Sequence, residues 1–230
     1  MRGLIVVPAY CERESLPSLF ERIERAGLPQ EILVVDDGST DATADWLRER
    51  GIPHVRHPFN LGYSAAIETG LLYAWRRGFD HVVFLDADGQ HEPEAVPRLV
   101  AALEEGVSIA IGSRYLGGYG RQSPIRRVGS ILFSHLTGLW GERIHDTSSG
   151  FKAMSRPAIE LALRGDFADY HVEFLLFARR AGLSVREVEV PYLPRTRGRS
   201  MHGRASVFYY PLRMFLLLIL NSRTAERHVP

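Results

Sequence analysis

The chain has one cysteine, Cys11, and one lysine, Lys152, among 230 residues. A single thiol excludes an internal disulfide framework and suits a reducing compartment. With only one lysine, 27 of the 28 basic residues are arginine, so no arginine is marked out by its identity alone. Long apolar runs are also missing. The uninterrupted stretch Met214–Leu220 covers seven residues, whereas a membrane-spanning helix needs about twenty. The opening Met-Arg-Gly-Leu-Ile-Val-Val-Pro is too short an apolar run for a signal peptide and reads as a strand. That strand is not followed by G-x-G-x-x-G, and the chain has no G-x-x-x-x-G-K-[ST]. Neither a dinucleotide fold nor a P-loop is supported. Internal repeats and low-complexity segments are absent.

What is present is an ordinary globular composition, 45% hydrophobic and 24% charged, long enough for one sizeable core. The net charge of +1 hides an asymmetry. Arg114–Arg127 and Pro191–Arg223 contain four and six arginines and no acid. Such stretches suit phosphates, whether of nucleic acid, a membrane surface or a substrate. No aromatic-stacking pattern or nucleic-acid module accompanies them, so nucleic acid is not an expected partner.

The first hundred residues alternate between strand and helix. Leu4–Val7, Ile32–Val35, His54–Arg56, Val82–Leu85 and Val107–Ile111 read as strands. Between them, Leu16, Leu19, Phe20 and Ile23 recur at helical spacing before Gly27, and Thr40 or Asp41 can cap a helix carrying Trp46 and Leu47. Further helices are expected up to Arg77 and from Pro93 to Glu105. This rhythm predicts an α/β fold with a doubly wound, mostly parallel sheet. Beyond Gly112 come a glycine-rich loop at Gly117, Gly118 and Gly120, a helix over 125–140, a polar stretch His145–Gly150, a helix over 170–181 and a strand over 183–190. Residues 203–230 are set apart as a C-terminal amphipathic segment after a domain over 1–202. That segment either lies at a membrane interface, packs on the domain or meets a partner.

Three strands end in polar groups: Pro8-Ala9-Tyr10-Cys11-Glu12, Asp36-Asp37-Gly38-Ser39 and Asp86-Ala87-Asp88. In a parallel sheet all three open onto one rim, where α/β folds bind ligands. Asp86 and Asp88, one residue apart, suit a hard cation such as Mg²⁺ or Mn²⁺, with Gln90 as a further oxygen donor. The competing reading is an acidic turn capping a helix near Pro93. A flat aromatic, carboxylate acceptors and a metal pair on one rim describe a pocket for a nucleotide diphosphate.

The set Val7-Pro8-Ala9-Tyr10-Cys11-Glu12, Val35-Asp36-Asp37-Gly38-Ser39, Asp86-Ala87-Asp88-Gly89-Gln90-His91, Gly112-Ser113-Arg114-Tyr115 and Asp146-Thr147-Ser148-Ser149-Gly150-Phe151 resembles family 2 glycosyltransferases of the GT-A fold. Within them it is most similar to the dolichol- and polyprenol-phosphate mannosyltransferases. The resemblance spans residues 4–200. It implies that Pro8, Tyr10, Glu12, Val35 and Asp37 hold the donor nucleoside. It also implies that Asp86, Ala87, Asp88 and Gln90 hold the metal and the donor diphosphate. Arg114, Arg195 and Ser200 are implied for the acceptor phosphate, and Asp88, Arg114, Asp146 and Arg195 for catalysis. Arg126 and Ser130, four apart on the expected helix, either both face that phosphate or form a solvated basic helix end, and the Asp146 run also reads as a helix cap or turn. The late motif reads Arg195-Thr196-Arg197-Gly198-Arg199-Ser200-Met201, with Met201 where the family carries lysine. Arg197, Arg199 or Arg204 stands nearby to supply that charge. Cys11 replaces the family's usual asparagine.

The implied reaction moves a hexose from GDP-mannose or UDP-glucose to a polyprenyl (dolichyl or undecaprenyl) phosphate, with inversion. It places the enzyme at the cytoplasmic face of a membrane or on a membrane-anchoring partner. A cation and fixed arginines stabilise charge on the leaving phosphate, and an ionised acceptor phosphate needs no strong base. Arginines without acids nearby (Arg114, Arg126, Arg127, Arg195) fit such an acceptor. The alternative is transfer to a saccharide or other hydroxyl, for which Asp146 or Glu173 has to act as base. Glu173, between Val172 and Phe174, either pairs with an arginine or assists catalysis. His91 either touches the donor phosphate or caps the following helix.

Overall fold

The computed structural model describes residues 1–116 and 143–191, apart from 166 and 168. Strand β1 (Gly3–Ala9) is buried at all seven positions, as expected of a strand covered on both faces. It pairs in parallel with β2 (Glu31–Asp36) and β4 (His81–Phe84), and β2 pairs in parallel with β3 (His54–Arg56). Strand β5 (Ile109–Ser113) pairs in parallel with β7 (Val185–Glu189). Between β4 and β5 lies β6 (Lys152–Ser155), antiparallel to both. The seven-stranded order is β3-β2-β1-β4-β6-β5-β7.

Helices cover both faces: α1 (Leu16–Ala26), α2 (Thr43–Glu49), α3 (Tyr63–Arg76), α4 (Val96–Glu104), α5 (Arg156–Arg164) and α6 (Val172–Arg180). A short 3₁₀ turn, Pro93–Ala95, leads into α4. In α1, Leu16, Leu19, Phe20 and Ile23 are the buried stripe. Removing each from water is worth about 1.5–3 kcal/mol. The helix stops at Gly27, whose φ of 58° gives the left-handed cap that glycine adopts without strain. One core layer joins Ile5, Val7, Val83, Leu85 and Leu99, and the other joins Leu4, Val6, Phe84, Ile111 and Met154. Alternate residues of the central strands thus feed opposite layers, as the two-residue period requires.

The predicted α/β rhythm with a mostly parallel sheet holds. Strand β6 and helix α5 carry too weak a local signal to be expected, and β6 gives β4 one antiparallel neighbour within that sheet. Strand β4 spans His81–Phe84, where Val82–Leu85 was expected. The expected helix over 125–140, the glycine-rich loop from 117 and the segment 203–230 lie outside the described residues. Among the described residues, no helix is long and apolar enough to cross a membrane.

Candidate active site

The carboxyl ends of β3, β2, β1 and β4 share one rim because these strands are adjacent and parallel. At the β1–β2 end, the Cys11 N–H donates to Ser39 Oγ (2.9 Å), and Asp36 Oδ1 accepts from the Ser39 N–H (2.9 Å). Arg56 donates to the Ser39 carbonyl (3.0 Å) and sets its Nε 3.3 Å from Asp36 Oδ2. Cys11 has φ 55° and is exposed. This is the left-handed region in which asparagine is enriched among residues with side chains, a physical reason for the family's usual residue there. Glu12 is buried and accepts from Ser15 Oγ (2.8 Å), while its N–H donates to Thr43 Oγ1 (3.1 Å).

Asp37 is 4% exposed. Its Oδ1 accepts from the Leu61 N–H (2.8 Å) and from His57 Nδ1 (2.7 Å), and Oδ2 accepts from the Gly62 N–H (2.8 Å). His57 Nε2 in turn meets Thr69 Oγ1 at 2.9 Å. Asp37 thereby ties the segment between β3 and α3 to the end of β2. That segment forms one wall of a cavity of about 480 Å³, lined by Tyr10, Ser39, Asp41, Arg56, Phe59 and Asn60 among others. Pro8 and Val35 face each other in the β1–β2 ladder and are buried, and neither lines this cavity. His57 was not legible in the sequence. Its only signal is an isolated histidine after a short strand.

At the end of β4, Asp86 is surrounded by donors. Tyr63 O–H lies 3.3 Å from Oδ1, and His91 Nε2 lies 3.5 Å from Oδ2. Burial raises the Asp86 pKa, but the His91 hydrogen bond, the charges of His91 and His171 and the Tyr63 hydroxyl outweigh it. The net shift is below the ordinary carboxylate value, and Asp86 stays ionised. For Tyr63, burial and then the Asp86 charge push the phenol well above its usual range, so it remains a donor. His91 is buried against Phe151, with ring centroids 5.2 Å apart. It thus braces Asp86, and the 3₁₀ turn begins without a side-chain cap. A Cβ on Gly150 would come within 2.2 Å of Asp86 Oδ2, so only glycine admits the carboxylate there. Asp88 Oδ1 accepts from the Gln90 N–H (3.0 Å), closing its own turn and leaving the later helix uncapped. Ala87 is buried, while Asp86, Asp88 and Gln90 are each half-buried at the rim. Among the described residues no cluster of three or more metal-ligating side chains occurs. Two carboxylates and an amide oxygen are nevertheless donor chemistry that suits Mg²⁺ or Mn²⁺.

After β5, Arg114 does not stand free of acids. Its Nε donates to Asp146 Oδ2 (2.7 Å) and its Nη2 to Oδ1 (2.6 Å), and its backbone N–H also meets Oδ2 (3.0 Å). Ser148 Oγ is 3.1 Å from Nη2. The expected acid-free arginine fails because folding brings in a carboxylate from 32 residues further on. Asp146 is fully buried, and its N–H donates to Glu187 Oε1 (2.7 Å). Glu173 opens α6 as a buried carboxylate. It accepts from the Asp169 N–H (3.1 Å), while Asp169 accepts from the N–H groups of His171 and Val172, a reciprocal cap on α6.

Lys152 is the group sequence reasoning passed over, although its being the sole lysine was a usable signal. It opens β6, is 5% exposed, and donates to the Tyr170 carbonyl (3.2 Å) and to His171 Nδ1 (3.1 Å). Burial lowers its pKa to about 8, against the pull of Asp169, Asp146 and Asp86. Burial, followed by the Lys152 charge, lowers His171 to about 4, so this ring is neutral at pH 7. Arg126, Ser130, Arg195, Arg197, Arg199, Ser200, Met201 and Arg204 lie outside the described residues.

A glycosyl transferase family 2 model matches residues 4–161. A polyprenol monophosphomannose synthase of Mycolicibacterium smegmatis is 35% identical over 219 residues, covering 90% of this chain and 83% of its own. An undecaprenyl-phosphate mannosyltransferase of Micrococcus luteus is 33% identical over 215 residues, covering 87% of each chain. The glucosyl-3-phosphoglycerate synthase of Mycobacterium tuberculosis, crystallised with Mn²⁺, UDP and glucosyl-3-phosphoglycerate, superposes with a TM-score of 0.71 at 22% identity. That match covers 94% of this chain and 78% of the synthase. At that identity the likeness establishes a shared fold.

Proposed function

The chain belongs to glycosyl transferase family 2, and from that premise we propose that it transfers a mannosyl group from GDP-mannose to a polyprenyl phosphate at a membrane surface. The relatives named above are mannosyl synthases and transferases for polyprenyl phosphates, which supports this donor sugar and acceptor over UDP-glucose and a hydroxyl. The observation that carries the reading is the Asp86-Ala87-Asp88 rim. One carboxylate is held ionised by Tyr63 and His91, and the pair follows β4 on the same rim of parallel strand ends from which the cavity lined by Tyr10, Ser39 and Arg56 opens.

In this reading Asp86, Asp88 and Gln90 hold a divalent ion, which supplies charge stabilisation for the leaving diphosphate. Tyr10, the Asp37-tethered wall and Ser39 receive the nucleoside. An oxygen of the ionised acceptor phosphate forms the new bond to the anomeric carbon as the bond to the nucleoside diphosphate breaks on the opposite face, inverting the centre. Arg114, its plane set by Asp146, orients phosphate. Arg126, Ser130, Arg195 and Ser200 complete the acceptor site. The catalytic domain comprises residues 1–202, and 203–230 meet the membrane surface or an anchoring partner on its cytoplasmic side.

A hydroxyl acceptor would require a base. Asp146 is buried and clamped by Arg114, and Glu173 caps α6, so neither is placed for that task. The test is incubation with labelled GDP-mannose or UDP-glucose and polyprenyl phosphate, followed by organic extraction. Label is expected in the organic phase from GDP-mannose with Mg²⁺ or Mn²⁺. Label confined to water while donor is consumed would overturn the lipid acceptor.

A further inference from the structure

A buried lysine is a costly choice for β6. Removing an ammonium from water costs several kcal/mol before partners offset it, and its cross-strand neighbours here are Phe84 and Ile111. An apolar residue would fill the same place more cheaply. Lys152 nevertheless stands there, in a chain that uses arginine for every other cationic side chain of the Lys/Arg class. Its surroundings show where its influence goes.

Three elements converge on it. Lys152 Nζ bonds the Tyr170 carbonyl and His171 Nδ1, which fixes the imidazole just ahead of α6. The imidazole stacks on the Tyr63 ring at the start of α3, with centroids 5.3 Å apart and planes 12° apart. The hydroxyl of Tyr63 then lies 3.3 Å from Asp86 Oδ1. On the opposite side of that carboxylate, Gly150, two residues before Lys152, makes the close approach that no Cβ would allow. Beside the His91 contact, two constraints on Asp86 therefore trace back to the entry of β6, one through backbone and one through the Lys152–His171–Tyr63 stack.

We propose that Lys152 is a positioning residue for the divalent-cation site, acting through His171 and Tyr63 to set the direction of the Asp86 carboxylate. The inference rests on reading Asp86 and Asp88 as cation ligands. Lys152 touches neither ligand, so its role is to fix geometry, as the outer partners of metal ligands do in metal sites generally. The charges of Asp169, Asp146 and Asp86 also reach its ammonium and favour the protonated form against the cost of burial.

The test is thermal stabilisation by GDP and by UDP, each titrated with Mn²⁺, on wild type, Lys152→Met and Tyr63→Phe. Wild type should show tighter nucleotide binding with Mn²⁺. Its absence with both nucleotides would remove the cation reading itself, and this inference with it. Given that increment, Lys152→Met should raise the Mn²⁺ concentration for half-saturation about tenfold or more, with metal-free nucleotide affinity unchanged. Unchanged half-saturation, or equal loss of metal-free binding, would assign Lys152 a purely structural role and overturn the proposal. Tyr63→Phe keeps the ring stack and deletes only the hydroxyl, so it tests the same path if Lys152→Met fails to fold. A smaller shift in the same direction is expected, and none would sever the path.

Discussion

The two halves of the rim use the same residue type in different ways. On the β1–β2 side, Asp36 and Asp37 accept chiefly from backbone N–H groups, those of Ser39, Leu61 and Gly62, with Arg56 and His57 beside them. On the β4–β5 side, Asp86 and Asp146 are held chiefly by side chains: Tyr63 and His91 for one, the Arg114 fork together with its backbone N–H for the other. A carboxylate bound mainly to backbone fixes the shape of a wall. One held mainly by other side chains keeps a charge in a chosen direction. Backbone partners thus dominate where the wall is tied down, and side-chain partners dominate where the proposed cation and phosphate are met.

The sharpest way to break this division is Asp88→Ala. Asp88 accepts a turn hydrogen bond from the Gln90 N–H, whose loss is worth about 1 kcal/mol, so Tm should fall by about 2–4 °C while transfer drops to background in the extraction assay. An active, correctly folded variant would end the claim that this half carries the chemistry. Asp37→Ala should behave in the opposite sense. It removes a buried acceptor of two backbone N–H groups and of His57, a loss of about 3 kcal/mol, visible in urea denaturation together with weakened nucleotide binding. Stability equal to wild type would mean the wall does not depend on Asp37.

A smaller effect is expected from pH. His171 titrates near 4 in the folded chain against an ordinary 6.5. Between those values the unfolded chain binds the extra proton, so stability should fall as pH drops from about 6.5 towards 4. Denaturation at pH 7 and pH 5 checks this, and His171→Phe, which keeps a ring on Tyr63, should flatten that part of the profile. The smallest change is Cys11→Asn. Relieving a left-handed cysteine should stabilise the chain by up to about 1 kcal/mol, with transfer little altered. A loss of stability would show that the contact of Cys11 Sγ with Thr40 Oγ1 (3.4 Å) outweighs the backbone strain.

Much of this was legible beforehand. The spacing of Leu16, Leu19, Phe20 and Ile23 before Gly27 marks α1 because a helix repeats every 3.6 residues and glycine stops it without cost. The polar ends of β1, β2 and β4 could be read as one rim because parallel neighbours must end on the same side. Strand β6 could not. Lys-Ala-Met-Ser has no alternation of its own, and it becomes a strand only by pairing with β4 and β5 at once. Val35 and Asp37, named together as nucleoside contacts, have different settings: Val35 is packed in the core, and Asp37 ties down the segment that walls the cavity. Only the register with β1 and the return of the 57–62 segment separates them.

The sequence by itself determined which chemistry gathers at the rim, since carboxylates after apolar strands are a local pattern and hydrophobic periodicity is a local force. Tertiary structure alone decided which charges meet. Arg114 finds Asp146 across 32 residues, and Lys152 is buried behind Asp86, because an antiparallel strand enters between β4 and β5. Electrostatic partnership depends on distance and burial in space, and neither is written in the order of residues along the chain.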